Sequence, residues 1–168
     1  VDGEYTARRA DSERAADSLG VPTLRDADPV RLEELLASID DEVVRRRARH
    51  VITEIQRVQE FDALLAAGTV RAHVTELGAL LNASHDSLRE DYEVTVPQLD
   101  LAVDTAREAG AHGARMTGGG FGGSAIALVE AEQAQQVAEA IAAAFAAAGF
   151  TAPEFFLALP SEGAGQDR

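Results

Sequence analysis

With 168 residues, 46% of them hydrophobic and 26% charged, the chain has the make-up of one globular domain, and disorder is excluded. Acidic residues outnumber basic ones 29 to 15, a net charge of −14, so neither nucleic acid nor an anionic membrane surface is an expected partner. Every Lys/Arg position is arginine and there is no cysteine, which removes a P-loop lysine, a kinase β3 lysine, a pyridoxal Schiff base, a thiol nucleophile and a disulfide framework from this chain's repertoire.

In chain order, the first half predicts helices. Tyr5 to Leu19 is rich in Arg, Ala and Glu and stops at Gly20; Val21 and Pro22 then impose an extended link. Asp28 followed by Pro29 predicts an N-cap with proline in the first turn of a helix reaching about Ile39, with Val30, Leu32, Leu35 and Leu36 available for the core. Asp40 and Asp41 restart the chain. Val44, Val51, Ile55, Val58, Phe61 and Leu65 recur at helical spacing up to Ala67, with Gly68 as the stop. A fourth helix is predicted from Thr69 to about Leu88.

The second half changes period. Tyr92–Val96 reads as a strand, Pro97–Gly110 as a helix, and Gly113–Thr117 as a short strand running into glycines. Ser124–Val129 reads as a buried strand, Glu132–Ala148 as a helix ended by Gly149, and Glu154–Leu159 as a last strand. Strand, helix, strand, strand, helix, strand is the order of a ferredoxin-like plait. The expected fold is therefore α+β: a mainly helical region over 1–90, a ferredoxin-like plait over 91–160, and a polar tail over 161–168. Ala138–Ala148 is too short to span a bilayer, and a cytoplasmic protein is expected. Val1 is not methionine, and the segment behind it has no start-like character, so the chain is expected to be a fragment.

The segment richest in chemistry is Gly118-Gly119-Gly120-Phe121-Gly122-Gly123. Glycines in this density let successive backbone N–H groups converge through positive φ, a nest suited to phosphate oxygens. The same glycines could instead serve a tight hairpin that permits close packing. GxGxxG is satisfied by Gly118, Gly120 and Gly123, but a strand follows where a dinucleotide fingerprint needs a helix. His50, His73, His85 and His112 lack metal-ligand spacing. Ser84 and His85 are adjacent on a helix and point in different directions, which favours capping or core hydrogen bonds over nucleophilic chemistry. Arg45, Arg46, Arg47 and Arg49 are expected to pair with carboxylates such as Asp40, Asp41, Glu42 and Glu54.

Taken together, these stretches resemble the C-terminal half of the galactokinase branch of the GHMP sugar and metabolite kinases. Ala114-Arg115-Met116-Thr117 and the glycines through Gly123 are similar to that family's third motif, with Phe121 in its galactokinase form. Ser84-His85-Asp86-Ser87-Leu88 through Tyr92-Glu93-Val94-Thr95-Val96-Pro97-Gln98-Leu99-Asp100 resembles the SHxSL and YEVS-x-PELD segment, with Thr95, Val96 and Gln98 as departures. Arg47-Ala48-Arg49-His50-Val51 is similar to its RARHV helix, and Gly3-Glu4-Tyr5 with Arg8 and Arg9 to the segment that follows the sugar-binding half.

The resemblance implies transfer of the γ-phosphoryl group of ATP, with Mg2+, to the anomeric hydroxyl of galactose. It implies a sugar hydrogen bond from Tyr5 and a phosphate-lining role for Gly118, Gly119, Gly120, Phe121, Gly122 and Gly123. It also implies that the catalytic base, the metal ligands and the ATP-wrapping loop belong to an N-terminal domain outside this chain, so that this chain by itself carries no catalytic or metal-binding residue and is inactive. The surface meant for that domain would be apolar and open to self-association. A stand-alone ferredoxin-like module that binds a small anion or regulates a partner is the alternative.

Overall fold

The computed structural model describes residues 2–67 and 70–159. Helix α1 (Asp2–Leu19) ends at Gly20, whose φ of 65° suits a left-handed helix stop. Asp28 caps a short 3-10 turn at Pro29–Arg31 by accepting from the Val30 N–H, and this turn leads into α2 (Leu32–Ala37). The long α3 (Glu42–Ala66) is capped by Asp41, which accepts from Val43 and Val44 N–H. A 3-10 turn at Val70–His73 opens α4 (Val74–Ser87). The expected helix stop and start at Gly68 and Thr69, and the tail 161–168, lie outside the described residues.

Ala15, Ala16, Leu24, Leu36, Ile39, Val44, Ala48 and Ile52 form the first core, between α1, α2 and the N-terminal half of α3. Three expected core positions are exposed instead. Val30 is 91% exposed, and Val58 and Leu65 on the far half of α3 are also exposed, because α1 and α2 cover only the first half of that helix.

The remainder is α+β. Helix α5 (Pro97–Glu108), strands β1 (Gly113–Thr117) and β2 (Ser124–Leu128), and helix α6 (Ala134–Ala148) follow in order. The strands form an antiparallel hairpin in the register Thr117↔Ser124 to Gly113↔Leu128. Val103 and Ala106 of α5, Ala114 of β1, and Val137, Ile141 and Phe145 of α6 make the second core. Leu88, Val94, Leu99 and Met116 make a third, smaller one between them.

Three strand expectations change. Tyr92–Val96 forms no strand: a π turn over Leu88–Tyr92 runs into Glu93 at φ 54°, and this left-handed kink breaks the extended run. The kink is held from outside by Arg47 and Arg46, which bind the Glu93 carboxylate at 2.5 and 3.0 Å and keep it well below the usual carboxylate range. Glu154–Leu159 pairs with no strand among the described residues, and Phe155, Phe156, Leu157 and Leu159 are exposed. Strand β2 forms where expected, yet it is exposed along almost its whole length, because nothing among the described residues covers its outer side. Within the described residues, no helix is long and apolar enough to cross a membrane.

Candidate functional site

The glycine segment is the turn of the β1–β2 hairpin, and it is pinned from below. The Phe121 N–H donates to the Val94 carbonyl at 2.7 Å, and Phe121 itself stands at φ 58°. Gly120 lies at φ +87°, and a Cβ there would overlap the Val94 carbonyl and stand 2.8 Å from the Val94 Cβ. Glycine at this position therefore answers two demands, the backbone angle and the close approach. Gly119 has a different reason: a Cβ there would run into the Tyr5 ring and hydroxyl.

Tyr5 reaches the turn from the first coils of α1. Its ring meets Phe121 edge-on, with centroids 5.6 Å apart at 90°. One turn further on, Arg8 places its guanidinium 5.7 Å from the centre of the same Phe121 ring. Arg8 also donates from Nε to the Tyr92 carbonyl at 2.6 Å and from a terminal nitrogen to the Glu93 carbonyl at 2.8 Å. Tyr5, Arg8, Arg9, Tyr92, Val94 and the Gly118–Gly119 backbone line a cleft of about 280 Å³. Two arginines reach this cleft, and each also faces an acidic side chain of α1: Arg9 donates to Glu13 at 2.9 Å, and Arg8 lies 3.9 Å from Glu4.

The structure thus brings the two expected site elements, Tyr5 and the glycine turn, into one cleft. Arg8 was the residue whose part no sequence pattern assigned. The available signal was its spacing of three from Tyr5, which puts both on one helical face.

Beneath the cleft lies a buried polar layer. The His50 ring stacks on Tyr92 with centroids 4.4 Å apart, and its Nδ1 lies 3.0 Å from Ser87 Oγ, which donates to Asp91 at 3.1 Å. Ser84 donates to Glu54 at 2.5 Å, so it is a core hydrogen-bonding group. Burial would raise the Glu54 carboxyl, but Ser84, Arg57 and Arg115 together hold it below its ordinary range. The arginine run does meet carboxylates, though different ones from those expected: Arg46 and Arg47 take Glu93, Arg47 also approaches Asp11 at 3.5 Å, and Arg49 takes Glu33. Arg45 instead donates to the Ile39 and Asp40 carbonyls. The partners missed by sequence are far along the chain, where local spacing carries no information.

Burial, helped by Arg57, Arg115 and Arg47 and opposed by Glu54, pushes His50 down to about 4. An unfolded histidine titrates near 6.5, so between about 6.5 and 4 the unfolded chain binds a proton that the folded chain refuses. Stability is complete above that window and falls as pH drops through it, by up to about 3 kcal/mol. Thermal melting of this chain from pH 7 to 4.5 should show the fall, and His50→Gln should flatten it. An equal slope in the variant would assign the acid sensitivity elsewhere.

Residues 63–147 match the family model described as GHMP kinases C terminal. The chain belongs to the GHMP kinase family. Among curated relatives, a galactokinase of Streptomyces coelicolor is 52% identical over 164 residues, which is 97% of this chain and 41% of that protein. A galactokinase of Mycobacterium tuberculosis strain H37Rv is 47% identical over 166 residues, covering 99% of this chain and 44% of that protein. A crystal structure of Lactococcus lactis galactokinase complexed with galactose superposes with a TM-score of 0.81 at 35% identity, over 89% of this chain and 39% of that one. This GHMP kinase chain thus spans about two-fifths of the length of the relatives it matches. The helices and small antiparallel sheet agree with the α+β class expected of the family's C-terminal part.

Proposed function

We propose that this chain is the C-terminal part of a galactokinase, an enzyme that moves the γ-phosphoryl group of ATP to the anomeric hydroxyl of galactose and yields galactose 1-phosphate. The observation that supports the reading is the contact between Tyr5 and the glycine turn, which sets the phenol hydroxyl beside a run of positive-φ residues. Phosphoryl transfer asks a protein mainly for positioning and for charge opposite the phosphates. Under this proposal Tyr5 hydrogen-bonds the sugar, and Gly118, Gly119, Gly120, Phe121, Gly122 and Gly123 line the phosphate end of the cleft. Since the Phe121 N–H is already committed to Val94, the phosphate-facing donors are N–H groups of the flanking glycines.

ATP and Mg2+ enter as co-substrates. The fit to ATP rests on the glycine turn, where Gly118, Gly120, Gly122 and Gly123 stand at positive φ. Under this proposal the N-terminal domain brings the magnesium ligands. Residues 1–168 are read as one C-terminal domain, completed by an N-terminal domain that brings the remaining site residues. Exposed Ile126, Phe155, Phe156, Leu157 and Leu159 support a face covered in the longer protein, and this chain alone should self-associate in sedimentation. A cysteine-free chain that uses ATP suits the cytoplasm. No observation favours the stand-alone anion-binding or regulatory alternative.

The test is product formation from ATP and galactose. This chain alone should give none, whereas the full-length protein carrying it should turn over. Within that protein, Tyr5→Phe removes one neutral hydrogen bond, which is expected to weaken galactose binding roughly two- to tenfold and to leave ATP binding unchanged. Turnover by this chain alone would overturn the two-part site, and unchanged galactose affinity would remove Tyr5 from it.

A further inference from the structure

Strand β1 has only one neighbouring strand among the described residues. An open strand edge normally leaves a row of unpaired N–H and C=O groups. Here the edge away from β2 is closed by side chains. The Ala114 N–H donates to Asn82 Oδ1 at 2.9 Å, the Ala114 carbonyl accepts from Arg107 at 3.2 Å, and the Met116 N–H donates to His85 Nδ1 at 3.1 Å. Gly78, Asn82 and His85 follow one another at steps of four and three on α4, so they form one stripe of that helix. At the head of the stripe Gly78 touches the His112–Gly113 backbone. Helix α4 therefore lies along β1 in the place of a neighbouring strand, with a hydrogen-bond partner for each second strand residue.

The His85 ring is fully buried and gripped from both sides. Its Nδ1 accepts from a backbone N–H and so carries no proton. Its Nε2 stands 3.2 Å from Asp100 Oδ1 and so carries one. Burial holds the ring below the ordinary histidine value, and Arg107 and Arg89 add to this against the pull of Asp100, so the ring is neutral. Met116, which the ring holds, precedes the glycine turn by two residues and packs in one cluster with Val94 and Phe121, the two residues that pin that turn.

We infer that His85, as a neutral imidazole protonated on Nε2, is a positioning residue for the glycine turn: it fixes the register of β1 along α4 and hence where Gly118–Gly123 stand. The structural part of this inference is independent of any reaction. Its consequence for turnover rests on the phosphoryl-transfer reading above.

Two variants separate the two ring nitrogens. An asparagine amide oxygen takes about the place of Nδ1, and a glutamine amide nitrogen about that of Nε2. His85→Asn should keep the Met116 bond, while His85→Gln should keep Asp100 and lose Met116. In this chain, ring nitrogen NMR should give an unprotonated Nδ1 and a protonated Nε2. Amide exchange across Gly118–Gly123 should quicken roughly five- to tenfold in His85→Gln and stay near the parent rate in His85→Asn. In the full-length protein His85→Gln should lower kcat by about tenfold or more, with the galactose KM little changed. A charged ring, a proton on Nδ1, or equal exchange in the two variants would overturn the inference, and the ring spectrum of the parent chain decides even if a variant fails to fold. If the full-length protein phosphorylates nothing, the phosphoryl-transfer reading fails while the NMR results still judge His85.

Discussion

On the proposed galactokinase reading, valine at Gly120 is expected to lower single-turnover phosphoryl transfer in the full-length protein by about two orders of magnitude, while the protein stays folded. Two demands meet at this residue. Its φ of +87° is one that a β-branched residue adopts only with strain of about 1 to 3 kcal/mol. Its missing Cβ is also what allows the Val94 carbonyl to approach and accept from Phe121. A side chain there must lift the turn off Val94, break that hydrogen bond and carry Phe121 away from Tyr5. A displacement of about 1 Å at a phosphate nest costs roughly a hundredfold in positioning. The thermodynamic loss is limited to that hydrogen bond and the Phe121 contacts at the edge of the third core, because the two larger cores contain no residue of the turn. Melting and single-turnover kinetics on one sample check the expectation. A destabilised protein with normal chemistry would mean that the glycines only close a hairpin.

The largest stability effect is expected at Gly78, far from the cleft. A Cβ on this α4 residue would overlap the carbonyl of His112 and stand 3.0 Å from the Gly113 nitrogen, and a Cβ on Gly113 would strike the Gly78 backbone in return. The obstacle is backbone on both sides, so no side chain can swing away. Gly78→Ala should therefore destabilise this chain by roughly 3 kcal/mol or more, although alanine is the better helix former by about 1 kcal/mol. Gly3→Ala is the control, since a Cβ there meets nothing within 4 Å; it should be neutral or slightly stabilising. Denaturant melts of the two variants decide the matter, and a Gly78→Ala protein as stable as its parent would show that α4 and β1 can part at little cost.

Local patterns in the sequence carried much of the fold. Asp28 caps where its spacing predicts, Gly20 and Gly149 end helices at positive φ, and the hairpin strands fall at the expected positions. What failed was burial and pairing, which depend on partners distant in the chain. The Tyr92–Val96 stretch alternates like a strand, yet Arg46 and Arg47, more than forty residues upstream, hold Glu93 in a left-handed kink. Ser124–Leu128 and the stretch after Pro153 have the composition of covered strands and are exposed, because composition records that a face is apolar and leaves open what covers it. Within the site, the turn was legible because glycine density is a local signal. Arg8 was not, since its meaning comes from carbonyls eighty-four and eighty-five residues away.

Phe121 gives the site a property that neither Tyr5 nor the glycines have alone. Its ring is the edge partner of Tyr5 and the seat of the Arg8 cation, while its backbone, at positive φ, is part of the turn. On the galactokinase reading proposed above, substrate range and transfer geometry are then mechanically one variable. Enlarging or reshaping the cleft beside Tyr5 to admit other sugars will also move the nest, so a broadened sugar preference should carry a slower chemical step. Engineering that separates the two has to rebuild the support under Phe121, at Val94 and Arg8, before it alters Tyr5.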